Sequence, residues 1–324
     1  MSDVWIPLVL LADSTLRLAT PLVFCALAGM FTERAGVVDI GLEGKMLGSA
    51  FAAAAVASVT GSAWAGLAAA ILFSCMLAMV HGFACITHRG DQVVSGVALN
   101  IMVAGLGPTV ADAWFRQAGR INVTGPSARF TPIELPFTET IGQVPVLGTL
   151  YVELISGHNI LVYLAALALP LSAWVLYRTR FGLRIRAVGE NPSAVDTAGI
   201  SVEALRYRAL LVTGALCGFA GAYLSIAQNA GFQRDMSAGK GYLALAALIF
   251  GKWRPVPAVL GCLLFAFADA AQARLQGVAV PGIGQVPTQL IQAIPYLLTI
   301  LLLAGFVGRA IAPKAIGQPY VKER

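Results

Sequence analysis

Apolar positions along this chain form long blocks, not the alternating or three-to-four stripes of a water-soluble fold. Nine blocks are legible, at about 12–31, 45–61, 64–87, 93–113, 158–177, 205–229, 238–251, 255–275 and 289–307. Most are long enough to cross the roughly 30 Å hydrocarbon layer as a helix. The interval 114–157 is the one long connection and is rich in Gly, Pro and Thr. Many blocks are built from small residues, as in "GSAFAAAAVAS" from Gly48 and "GALCGFAGAY" from Gly214. Small side chains let helix backbones approach closely in lipid, where packing replaces the hydrophobic drive. The pattern predicts an all-α polytopic membrane bundle of about nine transmembrane helices, forming a single domain over 1–324.

Composition strengthens this reading. Only 12% of the 324 residues are charged and 58% are hydrophobic, with a mean hydropathy of +0.77; soluble domains carry roughly 25% charged residues. The net charge of +6 does not point to nucleic acid, because the Lys and Arg flank apolar blocks. With the N-terminus outside, fifteen of the 22 fall on the inner side, among them Arg34, Lys45, Arg89, Arg206 and the cluster from Arg178 to Arg186. Cytoplasmic loops carry such an excess, so the expectation is N-terminus outside, C-terminus cytoplasmic, with membrane lipid around the bundle. The five cysteines form no CxxC pair and the three histidines are scattered. No metal site, catalytic constellation or cofactor is expected. No basic region precedes the first apolar residues, which argues against a cleaved signal peptide.

Two stretches interrupt the helical pattern. "FTERAGVVDIGLEGKMLG", Phe31 to Gly48, places Gly36, Gly41 and Gly44 beside Asp39 and Glu43; "NAGFQRDMSAGKGY" runs from Asn229 to Tyr242. They share a loose pattern, Asp39-x4-Gly44-Lys45 against Asp235-x3-Gly239-Lys240. Irregular backbone at membrane depth survives only when buried in protein or lining a wet cavity. Matched breaks on opposite sides are also what an inverted repeat around a solute pathway produces. Other polar residues lie in or near the blocks: Gln92, Ser95, Asn100, Asp112, Gln228, Asn229, Asp269, Gln272 and Gln292. Each is either helix-to-helix glue or pathway lining. Their mostly uncharged character suits a neutral polar solute. Asp39, Glu43, Asn100, Gln228 and Asn229 are the pathway candidates.

The stretch "YRTRFGLRIRAVGENPSAVDTAGIS" from Tyr177 puts Arg178, Arg180, Arg184 and Arg186 into nine residues. Topology alone explains the charge but not the capped helix after it. Asn191 is a helix cap, Pro192 suits the first helical position and Gly199 supplies a stop. A helix of about two turns is marginal alone, so it must dock on the bundle or on another protein.

Here the chain resembles a known family. "TRFGLRIRAVGENPSAVDTAGI" is similar to the cytoplasmic loop of ABC-importer permeases of the branched-chain amino acid, ribose and simple-sugar group. "FTERAGVVDIGLEGKML", "GDQVVSGVALN" from Gly90, "GYLALAALIFGKWRP" from Gly241 and "LTILLLAGFVGRAIAPKAIGQPY" from Leu298 resemble the nucleoside subgroup. The resemblance implies a discontinuous-helix fold like that of ribose and vitamin B12 importers. It also implies a coupling loop over 178–204, shaped by Arg180, Gly182, Arg184, Gly189, Glu190, Asn191, Pro192 and Gly199, and an external loop over 114–157. The implied partners are an ABC ATP-binding subunit, a second and related permease subunit, and an extracytoplasmic solute-binding protein. Nucleosides are the implied solute, with simple sugars of the ribose or galactose type as the alternative. Where the subgroup form is "GVVNIGLEG", this chain has Asp39, which bears on solute preference.

The chain has no G-x-x-x-x-G-K-[ST] phosphate loop; "GLEGKM" at Gly41 lacks both spacing and hydroxyl. ATP hydrolysis therefore belongs to a separate subunit. A stand-alone secondary transporter is the rival reading. An intramembrane enzyme finds no support, since HExxH and GxSxG are absent.

Overall fold

A computed structural model describes residues 2–136, 138, 144, 147–275, 279–280, 284–285, 293, 297, 300 and 311–322. Nearly all of the ninth apolar block, 289–307, and Gln292 within it, lie outside the described residues. The other eight blocks are helices. They are α1 (Ser2–Arg34), α2 (Leu42–Thr60), α3 (Ala63–Gly82), α4 (Gln92–Phe115), α5 (Ile160–Arg178), α8 (Val202–Tyr223), α9 (Lys240–Phe250) and α10 (Pro255–Leu275). Among the described residues seven are long and apolar enough to cross a membrane; α9, with eleven residues, is not. Between α5 and α8 lie two further helices, α6 (Arg180–Glu190) and α7 (Pro192–Thr197).

Side-chain caps fix several helix starts. Asp91 accepts from the Val93 and Val94 amides, Asn159 from Leu161 and Val162, Thr179 from Gly182, Asn191 from Ala194 and Ser201 from Ala204. Each cap meets one or two of the amides that a helix start leaves without a partner. Both α3 and α8 end in a π-turn, over Phe83–Thr87 and Leu224–Gln228.

Helix α8 is the axis of the bundle. A glycine stripe brings it against two neighbours. A Cβ on Gly214 or Gly218 would sit 2.6 Å from the Cα of Cys75 or Ile71 in α3, and one on Gly221 would sit 2.1 Å from Ser49 Oγ in α2. Ser49 Oγ donates to Cys217 O at 3.0 Å, and Thr213 Oγ1 to Ala28 O at 2.8 Å in α1. Residues of α8 and of the π-turn that ends it join both major cores. Cys217, Ala220 and Leu224 pack with α1, α5, α9 and α10, while Ala222, Tyr223 and Ile226 pack with α2, α3 and α4.

One end of the bundle carries the basic hairpin α6–α7. At this basic end Arg34 donates to Trp253 O and Trp253 Nε1 to Glu33, so the start of α10 is level with the end of α1. At the opposite end the long connection contributes strand β1 (Ile121–Asn122), antiparallel to β2 (Gly231–Phe232) in the second break. The 11 residues of α9 rise about 16 Å, roughly half the hydrocarbon thickness. Its N-terminus, Gly239 and Gly241, touches Glu43 at the start of α2. The two breaks thus enter from opposite ends and meet near the middle of the bundle. Two of the cations expected on the inner side do not face water as loop charges do: Lys45 and Arg206 are buried.

Candidate functional site

The first break frees peptide groups that a helix would have paired, and α3 and α4 supply their partners. Gly36 turns the chain with φ +82°. The Val38 amide donates to Gln92 Oε1 at 2.6 Å, and Val38 O lies 3.1 Å from His81 Nε2. Eight residues along α4, Asn100 Nδ2 donates to Ile40 O at 2.9 Å while its Oδ1 accepts from the Gly44 amide at 2.7 Å. Glycines permit the approach: a Cβ on Gly44 would stand 2.8 Å from Asn100 Oδ1, and one on Gly96 2.9 Å from the Gly41 nitrogen.

Asp39 and Lys45 are fully buried, and the Lys45 ammonium donates to both carboxylate oxygens. Burial opposes the charge on Asp39, but Lys45 and then His81 outweigh it and hold the carboxyl below its usual range.

The second break is built around one carboxylate. Glu43 accepts from the Gly239 amide at 2.9 Å and from the Gly241 amide at 2.6 Å, one bond to each oxygen. A negative charge at a helix N-terminus also complements the helix dipole. The preceding turn holds Asp235 and Ala238 at φ 53° and 47°. A cavity of about 230 Å³ opens where the breaks meet, lined by Glu43, Gly44, Leu47, Asn100, Asp235, Ser237 and Tyr242 among others. The Tyr242 hydroxyl accepts from Asn100 Nδ2 at 2.9 Å, and the residue is 46% exposed. These bonds of Glu43 and Asn100 are made within the protein, and the wall carries the Tyr242 side chain beside the carboxylates of Glu43 and Asp235.

The predicted pathway residues separate into three places. Glu43 and Asn100 line this cavity. Asp39 lies behind it in the buried ion pair. Gln228 lines a smaller cavity of about 110 Å³ toward the opposite end, with Arg17, His158 and Tyr223. Asn229 donates to Leu224 O and closes the π-turn. Of the other polar residues, Gln92 and Ser95 act between segments, Ser95 through His81 at 3.0 Å, and Asp112 is exposed at a helix end. Tyr242 and Ser237 were not among the candidates. The signal for Tyr242 was its place one residue after Gly241, at the start of a helix too short to span.

The basic stretch is more ordered than a loop. Arg180–Glu190 is a helix whose Gly182, Ile185, Val188 and Gly189 face the bundle. It turns back so tightly that a Cβ on Gly182 would lie 2.1 Å from Val175 O, and one on Gly189 2.2 Å from Arg34 O. Arg180, Arg184, Glu190 and Asn191 are exposed, while the Arg186 guanidinium lies 5.1 Å from the Tyr177 ring centre. The capped helix α7 docks on its own chain through Val195, packed with Val188, Val202 and Leu205. Pro192 starts that helix and Gly199, at φ +75°, follows it. Between α6 and α7 runs a groove of about 590 Å³, apolar along Leu183, Ala187, Ala194 and Ala198 and edged by Arg180 and Arg184.

Comparison with known proteins covers almost the whole chain. The sequence model of a family described as "Branched-chain amino acid transport system / permease component" matches residues 11–303. The chain is 37% identical to the nucleoside ABC transporter permease protein NupC of Lactococcus lactis subsp. cremoris, over 94% of this chain and 95% of that one. It is also 37% identical to the guanosine ABC transporter permease protein NupQ of Bacillus subtilis, over 97% of each. The putative glucose ABC transporter permease protein TsgC13 of Haloferax volcanii is 34% identical, over 97% of this chain and 98% of that one.

Proposed function

Because the chain belongs to the family of branched-chain amino acid-type transport permeases and is an ABC-transporter permease, we propose that it carries nucleosides into the cell, driven by a separate ATP-hydrolysing subunit. The observation that carries this reading is the full-length likeness to permeases named for nucleosides and guanosine. The cavity agrees in chemistry. A half-exposed tyrosine at its wall suits a planar base. With Asp39 held by Lys45, its effect on solute choice is indirect.

In this reading 1–324 is one permease domain in the plasma membrane, with its N-terminus outside, its C-terminus in the cytoplasm and 114–157 on the outer face. The α6–α7 hairpin within 178–204 is the surface on which the ATPase subunit docks, with Arg180, Arg184, Glu190 and Asn191 exposed and Gly182 and Gly189 setting its close seat on α5 and α1. A second, related permease subunit completes the pathway, and an extracytoplasmic binding protein delivers solute. ATP binding displaces the hairpin and alternates which side of the cavity is open.

A simple-sugar importer is the second reading, favoured by the 34% identity to the permease named for glucose. Uptake of labelled guanosine and ribose by cells with and without the gene separates the two. Loss of guanosine uptake on deletion, with excess unlabelled nucleoside competing and ribose not, is the expected result. Competition by ribose or glucose alone overturns the nucleoside reading, and gradient-driven flux by the purified chain without ATP overturns ATP-driven import altogether.

A further inference from the structure

The segment 311–322 crosses the basic end and touches α6, the first break and α7. The Ala315 amide donates to Gly189 O, at the end of α6, at 2.9 Å. Two residues on, the Gly317 amide donates to Gly36 O, in the first break, at 3.1 Å. Lys322 Nζ stands 3.5 Å from Asp196 on α7, and Tyr320 packs with Val188, Val195, Val202 and Leu205.

Arg206 of α8 holds this crossing from beneath. It is 1% exposed, donates to Ala35 O at 3.2 Å and to Gln318 O at 3.3 Å, and has no carboxylate partner among the described residues. A guanidinium fork suits such a place, since one planar group can reach carbonyls of two segments at once. Gly36 is part of the fit: a Cβ there would lie 3.0 Å from Ala315 O and 3.2 Å from Arg206 Nη2.

We propose that residues 313–318 form a strap that passes movement of the α6–α7 hairpin to the first break, and that Arg206 is the residue positioning it. The strap bonds the hairpin on one side and Gly36 on the other. From Gly36 a short run of chain leads to Asp39, paired with Lys45, and to Gly44, held by Asn100 at the cavity wall. A displacement of the hairpin therefore reaches the cavity through fixed contacts instead of a slack loop. This rests on reading the hairpin as the ATPase docking element.

The test uses the full chain assembled with its ATPase and second permease subunits in liposomes, with labelled guanosine as the transported probe. Ala315→Pro with Gly317→Pro removes both strap amides, and at Gly317 (φ +75°) also the left-handed turn, without touching a spanning helix. The expected result is an ATPase subunit still bound and hydrolysing, with guanosine moved per ATP lowered about tenfold. Arg206→Met is expected to act in the same way, and Arg206→Lys to recover only part of the loss, because an ammonium lacks the fork. Unchanged transport per ATP, or loss of the ATPase subunit from the assembly, overturns the strap. If the unaltered chain retains no ATPase subunit, it is the docking reading that fails. The strap is then decided in the chain alone by hydrogen exchange: faster exchange at amides 36–41 in the double variant keeps it, and unchanged exchange removes it.

Discussion

The two breaks resemble each other as strings, each with an aspartate, a glycine and a lysine in order, yet they are held by opposite means. In the first, Asp39 and Lys45 are paired out of water, and two amide side chains of α4 meet the unpaired peptide groups. In the second, Asp235 is exposed beside Arg234, the backbone turns through left-handed positions, and the Glu43 carboxylate binds the two amides that follow the turn. The first break is an anchor, buried and over-determined. The second is a wall tied by Glu43 at its turn, by the β1–β2 pair before it and by the Asn100–Tyr242 bond after it, and it is open to the cavity. A transporter needs both kinds, since a movable surface can be displaced reproducibly only against a fixed one.

The anchor breaks most severely through its ion pair. Lys45→Met leaves the Asp39 carboxylate buried without its counter-charge, at a cost of about 3–5 kcal/mol. Thermal unfolding in detergent should show this loss, and Asp39→Asn added to Lys45→Met should recover much of it. The pH dependence has a definite sign. Because Lys45 depresses the Asp39 carboxyl, the pair's contribution is present above the ordinary carboxylate range and declines as pH falls through the lowered folded value. In Lys45→Met the lone carboxyl instead gains by taking up a proton, so the gap from the unaltered protein should narrow as the pH is lowered.

Asn100 joins anchor and wall, bonding Ile40 and Gly44 on one side and Tyr242 on the other. Asn100→Leu removes three hydrogen bonds at roughly 1 kcal/mol each. The expected loss, about 2–3 kcal/mol, is measured by the same unfolding experiment. A value near zero would show that the two breaks are not coupled through α4.

The contrast between the breaks also bears on what the amino-acid order reveals. Helices α1–α5, α8 and α10 were legible because each is an apolar block of spanning length, and α7 because Asn191, Pro192 and Gly199 each have a local backbone reason. The helix α6 was hidden: four arginines in nine residues read as loop charge, and the buried face of Ile185 and Val188 acquires meaning only once Gly182 and Gly189 are seen against α5 and α1. The role of Lys45 was hidden too, since a lysine near the end of a block looks like a topology signal until the break folds Asp39 back onto it. Asn100 and Gln228 are both amides inside apolar blocks, and only tertiary packing sends them to different cavities.

The wall is probed more gently. Glu43→Gln keeps the shape but removes the charge and one acceptor, so one of the Gly239 and Gly241 amides loses its partner. A stability loss of about 1–2 kcal/mol is expected, smaller than that of Lys45→Met. Faster hydrogen exchange confined to residues 235–243, with 36–41 unchanged, would mark the wall as the looser element. Exchange rising equally in both breaks would erase the distinction.

The smallest structural effect belongs to Tyr242, and it separates scaffold from solute contact. Tyr242→Phe loses only the bond from Asn100 Nδ2, about 0.5–1.5 kcal/mol, and keeps the ring. Tyr242→Ala removes the ring as well. If a base stacks on that face during passage, the alanine variant forfeits roughly 1–3 kcal/mol of contact that the phenylalanine variant retains. Guanosine uptake should then show KM raised about tenfold in Tyr242→Ala and little changed in Tyr242→Phe. Equal KM values for the two variants would assign Tyr242 to holding Asn100 and nothing more, and the wall would then contact its solute through other groups.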